Sequence, residues 1–134
     1  MTAPDPLPLA ALVHGAERFD RGEWWHAHEA WEDGWRATTG PHRHYLKGLI
    51  QLAAANYHLA RGHARAACRL LDGAAGHLAA SEPLRWPVDT GLLLVACAAA
   101  AVRLDAGILL APIRPGLCAM IAAWSGEVGD HHGE

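Results

Sequence analysis

Serine is scarce in this chain. Ser81 and Ser125 are the only two, and neither stands in a Gly-x-Ser-x-Gly turn. Nucleophilic catalysis through serine is therefore disfavoured. A glycine-rich phosphate loop is also missing. The three cysteines, Cys68, Cys97 and Cys118, form no Cys-x-x-Cys pair and lie in Ala- and Leu-rich stretches. They read as small apolar side chains in a reducing compartment rather than as bridges or metal ligands. An excess of positive charge is lacking: 11 Lys and Arg stand against 14 Asp and Glu, a net charge of −3. Nucleic acid is thus not an expected partner. The longest apolar run, residues 92–102, is shorter than the roughly 20 residues that span a bilayer, so no membrane partner is expected. Residues 1–12 carry three prolines and no basic residue. They do not read as a targeting signal, and the expected location is cytoplasmic.

What is present is a chain of 134 residues, 51% of them hydrophobic and 19% charged, enough for one packed core. The expectation is a single helical domain over residues 1–125 and a polar, mobile tail over 126–134. Glycine and proline punctuate a series of helical patterns. These patterns cover about residues 8–21, 23–37, 42–60, 64–80, 90–105 and 117–124. A loop is expected around residues 81–87 and an extended segment over 108–113. Asp89 or Thr90 suits the N-cap of the fifth helix. That helix is apolar on all sides, which predicts that it is the buried one the others surround. No strand pattern intervenes. The fold class expected is all-α, a compact bundle of five to six helices around a buried apolar helix at about residues 90–105.

The second helix carries four of the six tryptophans. On a helical wheel Trp24, His28, Trp31 and Trp35 share one stripe, with Glu32 at its edge and Glu29 further round. His26, Ala30 and Asp33 point the opposite way. A histidine and a carboxylate four residues apart are neighbours on a helix surface. On the third helix His44, Lys47, Gln51 and His58 share a narrow polar stripe. If the two helices pack as an antiparallel hairpin with these stripes facing, they enclose a pocket lined by His28, Glu32, Gln51 and His58 and walled by tryptophan. The plainer alternatives are a packing network on the second helix and a solvated face on the third.

The run Phe19-Asp20-x-Gly22-Glu23-Trp24-Trp25-x-Ala27-His28-Glu29-x-Trp31-Glu32-x-x-Trp35-Arg36 resembles the signature of the family known as domain of unknown function 309. The run Leu46-Lys47-Gly48-Leu49-Ile50-Gln51-Leu52-Ala53, continuing to Tyr57-His58, is similar to its second motif. The resemblance extends over roughly residues 9–110. It implies an all-helical fold with a central helix wrapped by others, and no assigned biochemical function. His28, Glu29, Glu32, Trp35, Gly48, Gln51 and His58 match the family's pattern. The chain departs from it at His26, where the family favours Glu, and at Lys47, where it favours Gln.

Three functional classes follow. In the first, His28, Glu32 and His58 form a nitrogen–oxygen–nitrogen site for a divalent transition metal such as zinc, manganese or iron, with Glu29 as a base or as a group that orients the ligands. The pattern His28-Glu29-x-x-Glu32 lacks the second histidine of a zinc-protease helix, and the paired Glu-x-x-His runs of di-iron bundles are missing. In the second, His28, Glu29, Glu32, Trp35, Gln51 and His58 bind a small apolar or cationic molecule, the tryptophan faces and the two glutamates favouring a cation. In the third, the chain is a non-catalytic structural or protein-interaction module whose His/Glu cluster locks helix packing, with Trp25 as the exposed aromatic that takes a partner. Whether it is an enzyme is left open by the residues.

Overall fold

The computed structural model describes residues 9–40, 42–81 and 87–132, with side chains as far as residue 124. Residues 82–86 of the loop expected around 81–87, residues 1–8, Pro41 and the last two residues lie outside it. Among the described residues there are six helices and no strand: α1 (Leu9–Asp20), α2 (Trp24–Arg36), α3 (His42–Ala60), α4 (Ala64–Ser81), α5 (Thr90–Asp105) and α6 (Leu117–His132). The chain is all-α, as its periodicities imply. α6 runs past the expected end at Trp124, since each residue added to an existing helix gains a hydrogen bond.

Each helix packs on the next in sequence, α1 on α2 and so on to α5, and α6 returns to α1. α3 is therefore the central helix. It buries Tyr45, Leu46, Leu49, Ile50, Leu52, Ala53, Ala55, Asn56 and Leu59 along its length. The expectation of a buried helix at residues 90–105 is corrected here. α5 packs chiefly on α4 and leaves Leu92, Val95 and Val102 exposed. All-round apolarity predicts that a helix needs cover on every side, but not that this chain supplies it.

Two glycines set the entry to α2. Gly22 has φ +79° and ends α1 with its N–H on the Phe19 carbonyl (2.9 Å), while the Glu23 N–H reaches the Arg18 carbonyl (2.9 Å). Gly15 lets the Trp31 indole lie against the backbone of α1, where any Cβ would collide with the ring. The indole Nε1 then donates to the Leu12 carbonyl at 3.1 Å. Phe19 packs against Trp24 and Trp31 at centroid distances of 4.9 and 5.7 Å. Asp89 caps α5 by accepting from the Leu92 N–H (3.0 Å).

The segment between α5 and α6, where an extended stretch is expected over residues 108–113, has no regular secondary structure. Two side chains hold its C-terminal part. Asn56, buried in α3, donates to the Ile113 carbonyl and accepts from the Ile113 N–H, both at 2.8 Å. Asp20, the last residue of α1, accepts from the Leu117 and Cys118 N–H groups at 3.0 Å each, so it caps α6. Arg114 lies over the Trp24 ring, 5.2 Å from its centroid.

Candidate functional site

α2 lies between α1 and α3, and this divides the tryptophan stripe. Trp24 and Trp31 turn to α1 and are buried. They build the core and do not wall a pocket. His28 and Trp35 are half-buried on the side of α3. Trp25, off the stripe on the wheel, stacks on His28 with centroids 5.0 Å apart and planes within 2°. It also reaches Tyr57 of α3 at 5.7 Å. At the other end of α2, Arg43 and Lys47 of α3 lie over the Trp35 ring at 3.8 and 4.8 Å. These contacts show that α2 and α3 are an antiparallel hairpin. They set a register in which His28 stands level with Ala54, and His58 with the start of α2.

The proposed metal set does not assemble. Glu32 accepts from Arg36 Nη2 at 3.0 Å, one turn further on in the same helix. His58 sits about a turn beyond His28 and pairs with His63, Nδ1 to Nδ1 at 3.4 Å, while its ring meets Tyr57 edge-on. Among the described residues no group of three or more His, Cys, Asp or Glu side chains is placed to hold a metal ion. The expectation for His28, Glu32 and His58 is corrected on that geometry. A helix repeats every 3.6 residues, so residues can share a stripe yet lie too far apart along the axis to meet at one point.

Glu29 is also separate. It is exposed, its Oε1 3.7 Å from His26 Nδ1. It lines an open groove of about 260 Å³ against α1 with His14, Arg18, His26 and Asp33. Gln51 leans towards α4, where a Cβ at Gly73 would collide with its Oε1. Two polar atoms of the expected site are orphans. Among the described residues His28 Nδ1 and Gln51 Oε1, both buried, have no hydrogen-bond partner.

The face of α3 between α2 and α4 holds a histidine pair that the sequence did not disclose. His44 and His77 of α4 meet Nδ1 to Nδ1 at 3.1 Å. At most one proton lies between the two nitrogens, so at least one ring is neutral there. Burial, then His44 and Lys47, holds His77 below its ordinary pKa of 6.5. A signal for this face was nevertheless present in the chain. Over residues 42–81 the only acid is Asp72, against Arg43, Lys47, Arg61, Arg65 and Arg69 and five of the ten histidines. An acidic protein thus keeps one helical hairpin basic.

The thiols offer no nucleophile. Burial raises Cys97 to about 12, and burial with Asp20 raises Cys118 to about 11. Burial, then Asp72 and Asp105, pushes Cys68 up as well. All three stay protonated at neutral pH. No described helix is long and apolar enough to cross a membrane.

No curated protein and no solved structure matches the chain. The resemblance drawn from the two motifs over residues 9–110 holds over a shorter stretch that contains both motifs and all of α2 and α3. Over residues 12–70 the chain matches the family model described as Domain of unknown function (DUF309).

Proposed function

We propose that the face of α3 between α2 and α4 binds a small organic anion that also carries a hydrogen-bond donor. The observation that carries this reading is the pair of buried orphan atoms, His28 Nδ1 and Gln51 Oε1. Leaving such a group unsatisfied costs about 1–3 kcal/mol, and a ligand removes that cost. Gln51 Oε1 accepts only, so its partner is a hydroxyl or amine. The charge of the ligand follows from the surroundings. Lys47, Arg43, His44 and His77 supply cations and donors, whereas Glu32 is already paired with Arg36. The Trp35 ring is covered by the chain's own Arg43 and Lys47, which argues against the cationic ligand that a bare tryptophan face would favour.

A second reading has its own support. The His28–Trp25–Tyr57 stack joins α2 to α3 without any ligand. On this reading the polar groups serve packing alone.

Titration of tag-free protein with hydroxycarboxylates and phosphate monoesters, followed by tryptophan fluorescence and calorimetry, tests the choice. Binding predicts a saturable signal in the wild type that Lys47→Ala and Gln51→Leu both weaken at least about tenfold, the loss of a charge-assisted or buried hydrogen bond. No binding, together with a Gln51→Leu protein less stable than the wild type, favours the packing role.

A further inference from the structure

We propose that α5 pairs with α5 of a second copy of this chain, antiparallel across a two-fold axis near Cys97. From Gly91 to Val102 no residue that α5 turns outward is polar. Gly91, Leu92, Leu94, Val95, Ala96, Ala98, Ala99 and Val102 are all apolar and none is buried. Leu92, Val95 and Val102 are 53%, 66% and 70% exposed, and Leu109 just beyond the helix is 79% exposed. Leu92, Val95, Ala99, Val102 and Ala106 follow the three-four spacing of a helix–helix seam. A continuous apolar face of this kind on a small protein marks an interaction surface.

Charge and shape select the occupant. The face is bounded by Asp89 at the N-terminus of α5 and by Arg103 and Asp105 at its C-terminus. Parallel pairing would set Arg103 against Arg103 and Asp89 against Asp89. Antiparallel pairing places Arg103 within a turn of Asp89 of the second copy and opposes the two helix dipoles favourably. About an axis near Cys97, Leu92 meets Val102 of the second copy and Val95 meets Ala99, so every pair across the seam is apolar. The alanines allow the axes to approach to about 8 Å. A lipid surface is the poorer occupant, because one arginine and two aspartates at the rim lack the basic flank of an interfacial helix. α5 has 16 residues and so is roughly 24 Å long. One such helix pair falls short of the roughly 800 Å² per partner of a standard interface. The dimer is therefore reversible and concentration-dependent.

Sedimentation velocity over two decades of protein concentration tests the pairing. The expected result is a dimer fraction that rises with concentration in the wild type and vanishes in Val95→Glu with an unchanged far-UV spectrum. Arg103→Glu, at an exposed site outside the seam, should weaken dimerisation about three- to tenfold. For the orientation, a mixture of Leu92→Cys and Val102→Cys chains is oxidised and its disulfides are mapped by mass spectrometry. A 92–102 link between copies, absent from either variant alone, is expected. A wild type monomeric at every concentration overturns the proposal, whether lipid or another part of the chain then proves to cover the face. A dimer unaffected by Val95→Glu overturns it too, and 92–92 and 102–102 links overturn the antiparallel arrangement.

Discussion

Asn56 and Ile113 exchange two hydrogen bonds of 2.8 Å, one in each direction, as two paired strands would. A side chain of the central helix thereby satisfies both backbone groups of a residue in the connection between α5 and α6. Asn56 is fully buried, so neither bond is exchanged readily for water. Replacing Asn56 by Ala should destabilise the fold by about 2–4 kcal/mol, two net hydrogen bonds plus the orphaned Ile113 groups. Urea unfolding gives the value. A loss below about 0.5 kcal/mol would show that the segment holds without this clamp.

Gly15 should not tolerate a side chain. A Cβ there would collide with the Trp31 indole, and the ring is held in place by its bond to Leu12. Gly15→Ala is expected to cost about 1–3 kcal/mol through overpacking. Adding Trp31→Leu should make the two losses less than additive, because the smaller side chain vacates the contested space. A double-mutant cycle by thermal unfolding measures this coupling.

His77 makes stability depend on pH. Its folded pKa lies below the ordinary 6.5, through burial first and then His44 and Lys47. As pH falls through 6.5 the unfolded chain takes up the proton before the folded one does. The contribution of His77 is therefore full above 6.5 and is lost as pH falls towards the folded pKa. In melting curves across this range, His77→Gln should flatten the slope on the acid side. An identical slope in both proteins would refute the assignment.

Cys97 should be the most protected of the three thiols. It is fully buried, and its pKa is raised to about 12. In the native protein iodoacetamide should modify Cys68 and Cys118 first and reach Cys97 only at the rate of opening. Mass spectrometry of peptides after timed alkylation checks the order.

Helix existence was legible in the chain, because local periodicity and punctuation act within a few residues. The spans expected for α2, α3 and α5 match the observed ones to within a residue or so, and Asp89 was recognisable as a cap. The two motifs were legible as well, and they fall inside the matched stretch. The basic character of residues 42–81 could have been read from the same letters.

What partners each helix was decided only by tertiary packing. A wheel tells which residues share a face. It does not tell which neighbour the face meets or at what height along the axis. So Trp24 and Trp31 went to α1 while His28 and Trp35 stayed with α3, and Glu32 found Arg36 rather than His28. The same limit explains α5. Its apolar surface follows from composition, but only the order of packing leaves one side of it uncovered. The sequence by itself determined the helices and their chemistry, which depend on neighbours along the chain. The meeting of His44 with His77, of Asn56 with Ile113 and of Asp20 with the start of α6 depends on residues 33, 57 and about 97 positions apart, and such encounters exist only once the whole chain has folded.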